Sequence, residues 1–94
     1  MDITFDSGKN KRNIAERGIS FELAVLFDWS LALIVEDTRA EYGESRFQAL
    51  GPIGDRLHML VYTPRSSCIH VISLRKANRR EIKHYEAQVQ SSKG

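Results

Sequence analysis

The run from Cys68 to Tyr85 constrains this chain more than any other stretch. Cys68-Ile69-His70-Val71-Ile72-Ser73-Leu74 is apolar and rich in β-branched residues, the composition of a strand. Arg75-Lys76 end it, and Asn78 then stands three residues before Glu81. That spacing is a capping box, in which each side chain accepts the other residue's backbone N–H at a helix start. Past the box Ile82, Tyr85 and Val89 share one helical face. A strand that leads straight into a capped helix needs neighbouring strands for its backbone and an apolar surface for the helix stripe. The fold class is therefore α+β.

The rest of the chain can supply those partners. Ile3 to Phe5 can form a short strand. Asp6 or Ser7 caps a helix through Arg17, and Gly18 is placed to end it in the left-handed conformation. Ser20 caps a second helix, Phe21 to Asp28, whose Phe21, Leu23, Ala24, Val25 and Phe27 leave most sides apolar and predict burial. Leu31 to Glu36 reads as a strand and Asp37 to Glu44 as a polar loop. From Ser45 to Leu50 the pattern alternates, with Phe47 and Ala49 opposite Arg46 and Gln48. Gly51 to Asp55 has the composition of a turn. Leu57 to Thr63, apolar on both faces, reads as a central strand. Thr63-Pro64-Arg65-Ser66 is the expected turn before the last strand, Cys68 to Arg75. Short connections predict a four-stranded antiparallel sheet, preceded by two helices and followed by one. Residues 1–94 make a single domain with a frayed tail from about residue 90.

Charge is distributed unevenly. Residues 1–64 hold seven Lys/Arg and ten Asp/Glu, a net of −3, whereas residues 65–94 hold seven and two, a net of +5. A domain polarised in this way has one pole for an anion and another for a basic or neutral partner. No apolar run is long enough for a membrane helix, and the N-terminus lacks the pattern of a signal peptide. The lone Cys68 fits a reducing compartment, so the expected location is the cytoplasm.

Few residues invite metal or cofactor chemistry. There is no Gly-rich phosphate loop, no Cys pair and no His-x-x-x-His, so no cofactor and no metal ligand is expected. The basic residues are more informative. Strict period-two alternation sets His70, Ile72 and Leu74 on one side of the last strand, and Val71, Ser73 and Arg75 on the other. Arg75 then emerges beside Lys76 and the helix turn carrying Arg79 and Arg80, where free N–H groups would add anion affinity. Arg46 can share that surface. Arginine binds phosphate through paired N–H donors and can stabilise charge developing on phosphorus. Arg79, Arg80 and Lys83 also suit a plain solvated helix face.

These residues resemble the BrnT family, toxins of type II toxin–antitoxin systems with a RelE-like fold. The resemblance runs through Phe5-Asp6, Lys9-Asn10 and Asn13, then Gly18-Ile19-Ser20-Phe21, Ala24 and Phe27-Asp28. It continues in Glu44-Ser45-Arg46-Phe47, Leu50-Gly51 and Val61-Tyr62-Thr63. Its strongest block is Ile72-Ser73-Leu74-Arg75-Lys76-Ala77 with Arg79-Arg80-Glu81 and Tyr85.

The resemblance implies a metal-independent ribonuclease that inhibits translation, neutralised by a ribbon-helix-helix antitoxin (BrnA-like) that would cover its active surface. Operator DNA would be bound only through the antitoxin complex. Such cleavage needs a proton acceptor for the 2′-OH, a donor for the leaving 5′-oxygen and cations on the phosphate. Arg46, His70, Arg75, His58 and Tyr62 are the catalytic candidates; Lys9, Lys76, Arg79, Arg80 and Lys83 are the RNA-binding ones. Two departures stand out. The Lys-His-Gly usual before the second helix is here Glu16-Arg17-Gly18, and His70 stands where Arg is frequent. An imidazole there would make activity sensitive to pH. The second reading is a non-catalytic module that binds its partner or nucleic acid through the basic edge.

Overall fold

The computed structural model describes residues 2–93, with side chains through residue 90. The elements are β1 (Asp2–Phe5), α1 (Ser7–Arg17), two 3₁₀ turns (Phe21–Leu26 and Trp29–Leu31), β2 (Leu33–Glu36), β3 (Phe47–Ile53), β4 (Arg56–Arg65), β5 (Cys68–Lys76) and α2 (Arg79–Lys93). They form an α+β fold on a five-stranded sheet of order β1-β5-β4-β3-β2.

The sheet is mixed, not purely antiparallel. β1 adds a fifth strand and runs parallel to β5, Asp2 opposite Cys68 and Phe5 opposite Val71. Such pairing cannot come from a hairpin, because parallel strands need a crossover, here the whole chain between Phe5 and Cys68. The other pairs are antiparallel, as the short connections predict.

Only α1 of the two N-terminal helices is an α-helix. The Asp6 carboxylate accepts the Lys9 N–H at 2.9 Å to start it, and Gly18 ends it at φ 69°. Phe21 to Leu26 winds as a 3₁₀ turn. Phe21, Ala24 and Phe27 lie three residues apart and are all buried, a spacing that three residues per turn aligns on one side. Leu23, Val25 and Leu26 therefore point outward and are exposed, against the expectation of an all-round buried helix.

Both prolines lie within strands. β3 continues through Gly51-Pro52-Ile53, and the hairpin turn is Gly54-Asp55 alone, with Gly54 at φ 61°. Pro64 pairs opposite Ile69, past the point where β3 stops at Phe47, so β4 has no further neighbour there to miss its N–H. The tail expected to fray from about residue 90 is helical to Lys93; Gly94 lies outside the described residues.

One face of the sheet carries the core: Leu60, Tyr62, Ile69, Val71, Leu74 and Ala49 pack against Ile19, Phe21, Ala24 and Phe27. The other face is open in its middle. There the ladder between β4 and β5 slips, with Tyr62 opposite Val71 but Val61 opposite Ser73. Ile72 is the extra residue of a β-bulge. Alternation restarts after it, so Val71 and Leu74 both face the core. His70 and Arg75, which strict alternation separates, consequently share the open face.

Candidate active site

The bulge builds a cleft on the open face. Four arginines surround it: Arg17 from the last turn of α1, Arg39 from the loop after β2, Arg46 just before β3, and Arg75 near the end of β5. Met59, Val61, Ile72 and Ser73 line it between them, and its volume is about 260 Å³. The expected facing of Arg46 and Gln48 holds, since both line this cleft.

Two of the arginines are held by carboxylates. Arg75 donates from Nη1 and Nη2 to the two oxygens of Glu81, each at 2.8 Å. This fork raises the Arg75 pKa and lowers that of Glu81. Arg39 forms a similar fork on Asp37, at 2.8 and 2.7 Å, and drives that carboxyl far below its ordinary range. Arg17 and Arg46 make no ion pair among the described residues. The Arg46 guanidinium carbon lies 3.7 Å from the centroid of the Tyr42 ring, a cation–π contact that fixes the side chain without neutralising it. Its Nε is buried with no hydrogen-bond partner. Four guanidiniums against two carboxylates leave a net positive cleft.

The other expected site residues are dispersed. Lys9 lines a groove of about 210 Å³ that shares Arg17, Ile72 and Ser73 with the cleft. Arg80 sits beyond Glu81, with His84, in a more apolar hollow against Leu33, Val35 and Leu50. Lys76, Arg79 and Lys83 are exposed and line none of these hollows. Nor is the start of α2 free for an anion. Asn78 Oδ1 accepts the Glu81 N–H at 2.8 Å, and Glu81 accepts the Asn78 N–H at 2.9 Å, which is the expected capping box. A carboxylate of the chain itself thus occupies that position.

His70 lies on the open face of β5, its Nδ1 2.8 Å from the Thr4 hydroxyl. Burial first, and then the nearby Arg65 charge, lower its pKa and keep the ring neutral at neutral pH. His58 and Tyr62 are on the opposite face. The His58 Nδ1–H donates to the Arg56 carbonyl at 2.8 Å, and the residue is buried. Tyr62 stacks on Phe47 and meets Trp29 edge-on, and burial raises its pKa. Neither is brought to the cleft.

Sequence reasoning missed Arg17, Arg39 and Tyr42. Arg17 had a signal, because it occupies the position of the absent histidine before Gly18. Arg39 and Tyr42 sit in the polar loop, where only the tertiary fold determines direction. Among the described residues no three His, Cys, Asp or Glu side chains converge as a metal site, and no helix is long and apolar enough to cross a membrane.

Comparison with known proteins identifies the family and the fold. The crystal structure of the Brucella abortus ribonuclease toxin BrnT superposes with a TM-score of 0.64 and is 26% identical, covering 84% of this chain and 99% of that one. No curated protein sequence matches. Residues 5–81 match the family described as ribonuclease toxin, BrnT, of type II toxin–antitoxin systems. That span takes in α1, the whole arginine cleft and Glu81, so the chain belongs to the BrnT family of ribonuclease toxins.

Proposed function

We propose that the toxin cleaves RNA on the open face of its sheet without a metal ion, by attack of a ribose 2′-oxygen on the adjacent phosphate. The new 2′-oxygen–phosphorus bond forms as the bond to the 5′-oxygen breaks. The 2′-proton passes to a base and the leaving oxygen gains one, giving a cyclic phosphate and a 5′-hydroxyl. The observation that carries this reading is the cleft in which Arg17 and Arg46 remain unpaired. Their charges suit the non-bridging phosphate oxygens, where negative charge builds in the transition state. Arg75, anchored by Glu81, adds a third cation at fixed position. His70 is the proton carrier in this scheme, since its neutral ring can accept a proton. Lys9 extends the basic track for the RNA backbone. A ribbon-helix-helix antitoxin of the BrnA type silences the toxin in the cytoplasm, and the complex binds operator DNA through the antitoxin.

The test uses purified protein and a short RNA. Arg46→Ala and Arg17→Ala should each lower kcat/KM by about a hundredfold, the usual effect of removing a charge-stabilising donor, with the circular dichroism unchanged. A chelator should leave the wild-type rate unaltered. Cleavage by Arg46→Ala at the wild-type rate would remove the site from this face.

A second reading, binding without catalysis, draws on the prior engagement of Arg75 and Arg39 by carboxylates. It predicts RNA binding without any cyclic-phosphate product.

A further inference from the structure

The outer border of the sheet is the chemical opposite of the cleft. Between Gly18 and Thr38 there is no Lys, Arg or His, yet there are four carboxylates, Glu22, Asp28, Glu36 and Asp37. Asp37 is buried and spent on Arg39; the other three are exposed. Among the described residues the same segment holds six of the seven exposed large apolar side chains, among them Val25 at 55%, Leu26 at 64%, Leu31 at 54% and Ile34 at 46% exposure.

From Leu26 on these residues run along one line, whereas the start of the preceding turn lies across the core face, with Phe21 against Phe5 of β1. Phe27 bridges Ile53 at one end of β3, and Leu33 to Glu36 pair with Leu50 to Phe47 at the other. β2 is the edge of the sheet. Asp37 donates its N–H to the Arg46 carbonyl, so by alternation Leu33 and Val35 bond to β3, and the N–H and C=O of Ile34 and Glu36 point outward. They have no partner among the described residues. β2 also lacks the lysine, proline or bulge that commonly blocks an open edge.

We infer that this border, and not the arginine face that the family resemblance implies, is the antitoxin's docking surface. An extended segment of the antitoxin adds to the free edge of β2, its apolar side chains cover Leu26, Leu31 and Ile34, and its Lys or Arg residues meet Asp28 and Glu36. The assignment deepens the toxin–antitoxin reading and rests on it. Charge selects the occupant. RNA is repelled by a segment with carboxylates and no cation of its own; Arg80 packs on the Leu33 and Val35 side, opposite to Ile34 and Glu36. A second copy of the toxin would set two identical acidic rims against each other. A partner that grips operator DNA carries the cations this border needs, and those same cations are repelled by the arginine cleft.

The experiment measures the affinity of the antitoxin encoded beside the toxin gene, using Leu26→Lys/Ile34→Lys and, in parallel, Arg46→Ala. Both substituted positions of the double variant are exposed and outside the cleft, so its RNA cleavage should remain at the wild-type rate. Its Kd for the antitoxin should rise at least a hundredfold, and co-expressed antitoxin should no longer rescue growth. In the wild-type complex, amide hydrogen exchange at Ile34 and Glu36 should slow relative to free toxin.

An unchanged Kd for the double variant overturns the proposal. So does equal exchange at Ile34 and Glu36 in the free and bound states, or a toxin that sediments as a dimer and becomes monomeric in the double variant. Loss of antitoxin binding in Arg46→Ala alone would move the interface to the cleft. Failure of wild-type toxin to cleave RNA, with the antitoxin results as expected, would count against the ribonuclease scheme and leave the docking surface standing.

Discussion

Asn13 lies buried in α1, and its amide donates to the carbonyls of Ile19 at 2.9 Å and Leu74 at 2.8 Å. It thereby ties the end of α1, which presents Arg17, to the strand that presents Arg75. Asn13→Leu fills the space but leaves two buried carbonyls without donors, and should cost about 2 kcal/mol in chemical denaturation. Gly51 is tight for a different reason. A Cβ there would come within 2.7 Å of the Phe27 ring and 3.2 Å of the Ala32 methyl, both part of the packed core. Gly51→Ala should lower stability by about 1–3 kcal/mol, measured by the same method. His70 has a signature in pH. Its depressed pKa means that the charge arrives only as pH falls below the ordinary imidazole range, strengthening phosphate binding but removing the base. Cleavage should therefore decline on the acid side. His70→Arg should abolish that limb, because arginine does not titrate there; an identical profile in both proteins would show that His70 is not the titrating group. The unusual histidine was visible in the sequence. Its place on the arginine face was not, because that depends on one extra residue in β5.

At the scale of elements, legibility follows the range of the interaction. The capping box of α2 was readable because both partners lie within four residues, and Asn78→Ala should cost about 1 kcal/mol in thermal unfolding. Glu81 serves that cap and the Arg75 fork together, so its folded pKa is lowered. The stability it contributes is fully present above the ordinary carboxylate range and is lost as pH falls through the lowered value. Below about pH 4 the melting temperature should therefore fall less steeply in Glu81→Gln than in the wild type. An equal slope would show that this carboxylate does not govern the acid response. By contrast, the β5 bulge depends on register against β4, which no local pattern encodes. Period two held from Ile69 to Val71 and again beyond Ser73, but not across the slip. The 3₁₀ turn misled for a related reason: Phe21, Ala24 and Phe27 fit the opening of either helix type, and only the sheet they cover decides which.

Across the whole molecule the charge asymmetry of the sequence survives folding in an altered form. The basic residues do not form one patch. Arg75 joins Arg17, Arg39 and Arg46 from distant segments, while Lys76, Arg79 and Lys83 stay in solvent. Strand order was legible for β2 to β5, where short loops dictate neighbours, and not for β1. That parallel strand pairs residues 2–5 with residues 68–71. Its consequence concerns the time course of synthesis. β1 must wait for β5 before it has a partner, and Arg75, near the end of β5, and Glu81 beyond it come after the paired residues 68–71. A nascent chain on the ribosome thus has neither a closed sheet nor a complete arginine cleft. The border from Leu26 to Glu36 is translated well before either of them, ahead of the residues that complete the cleft.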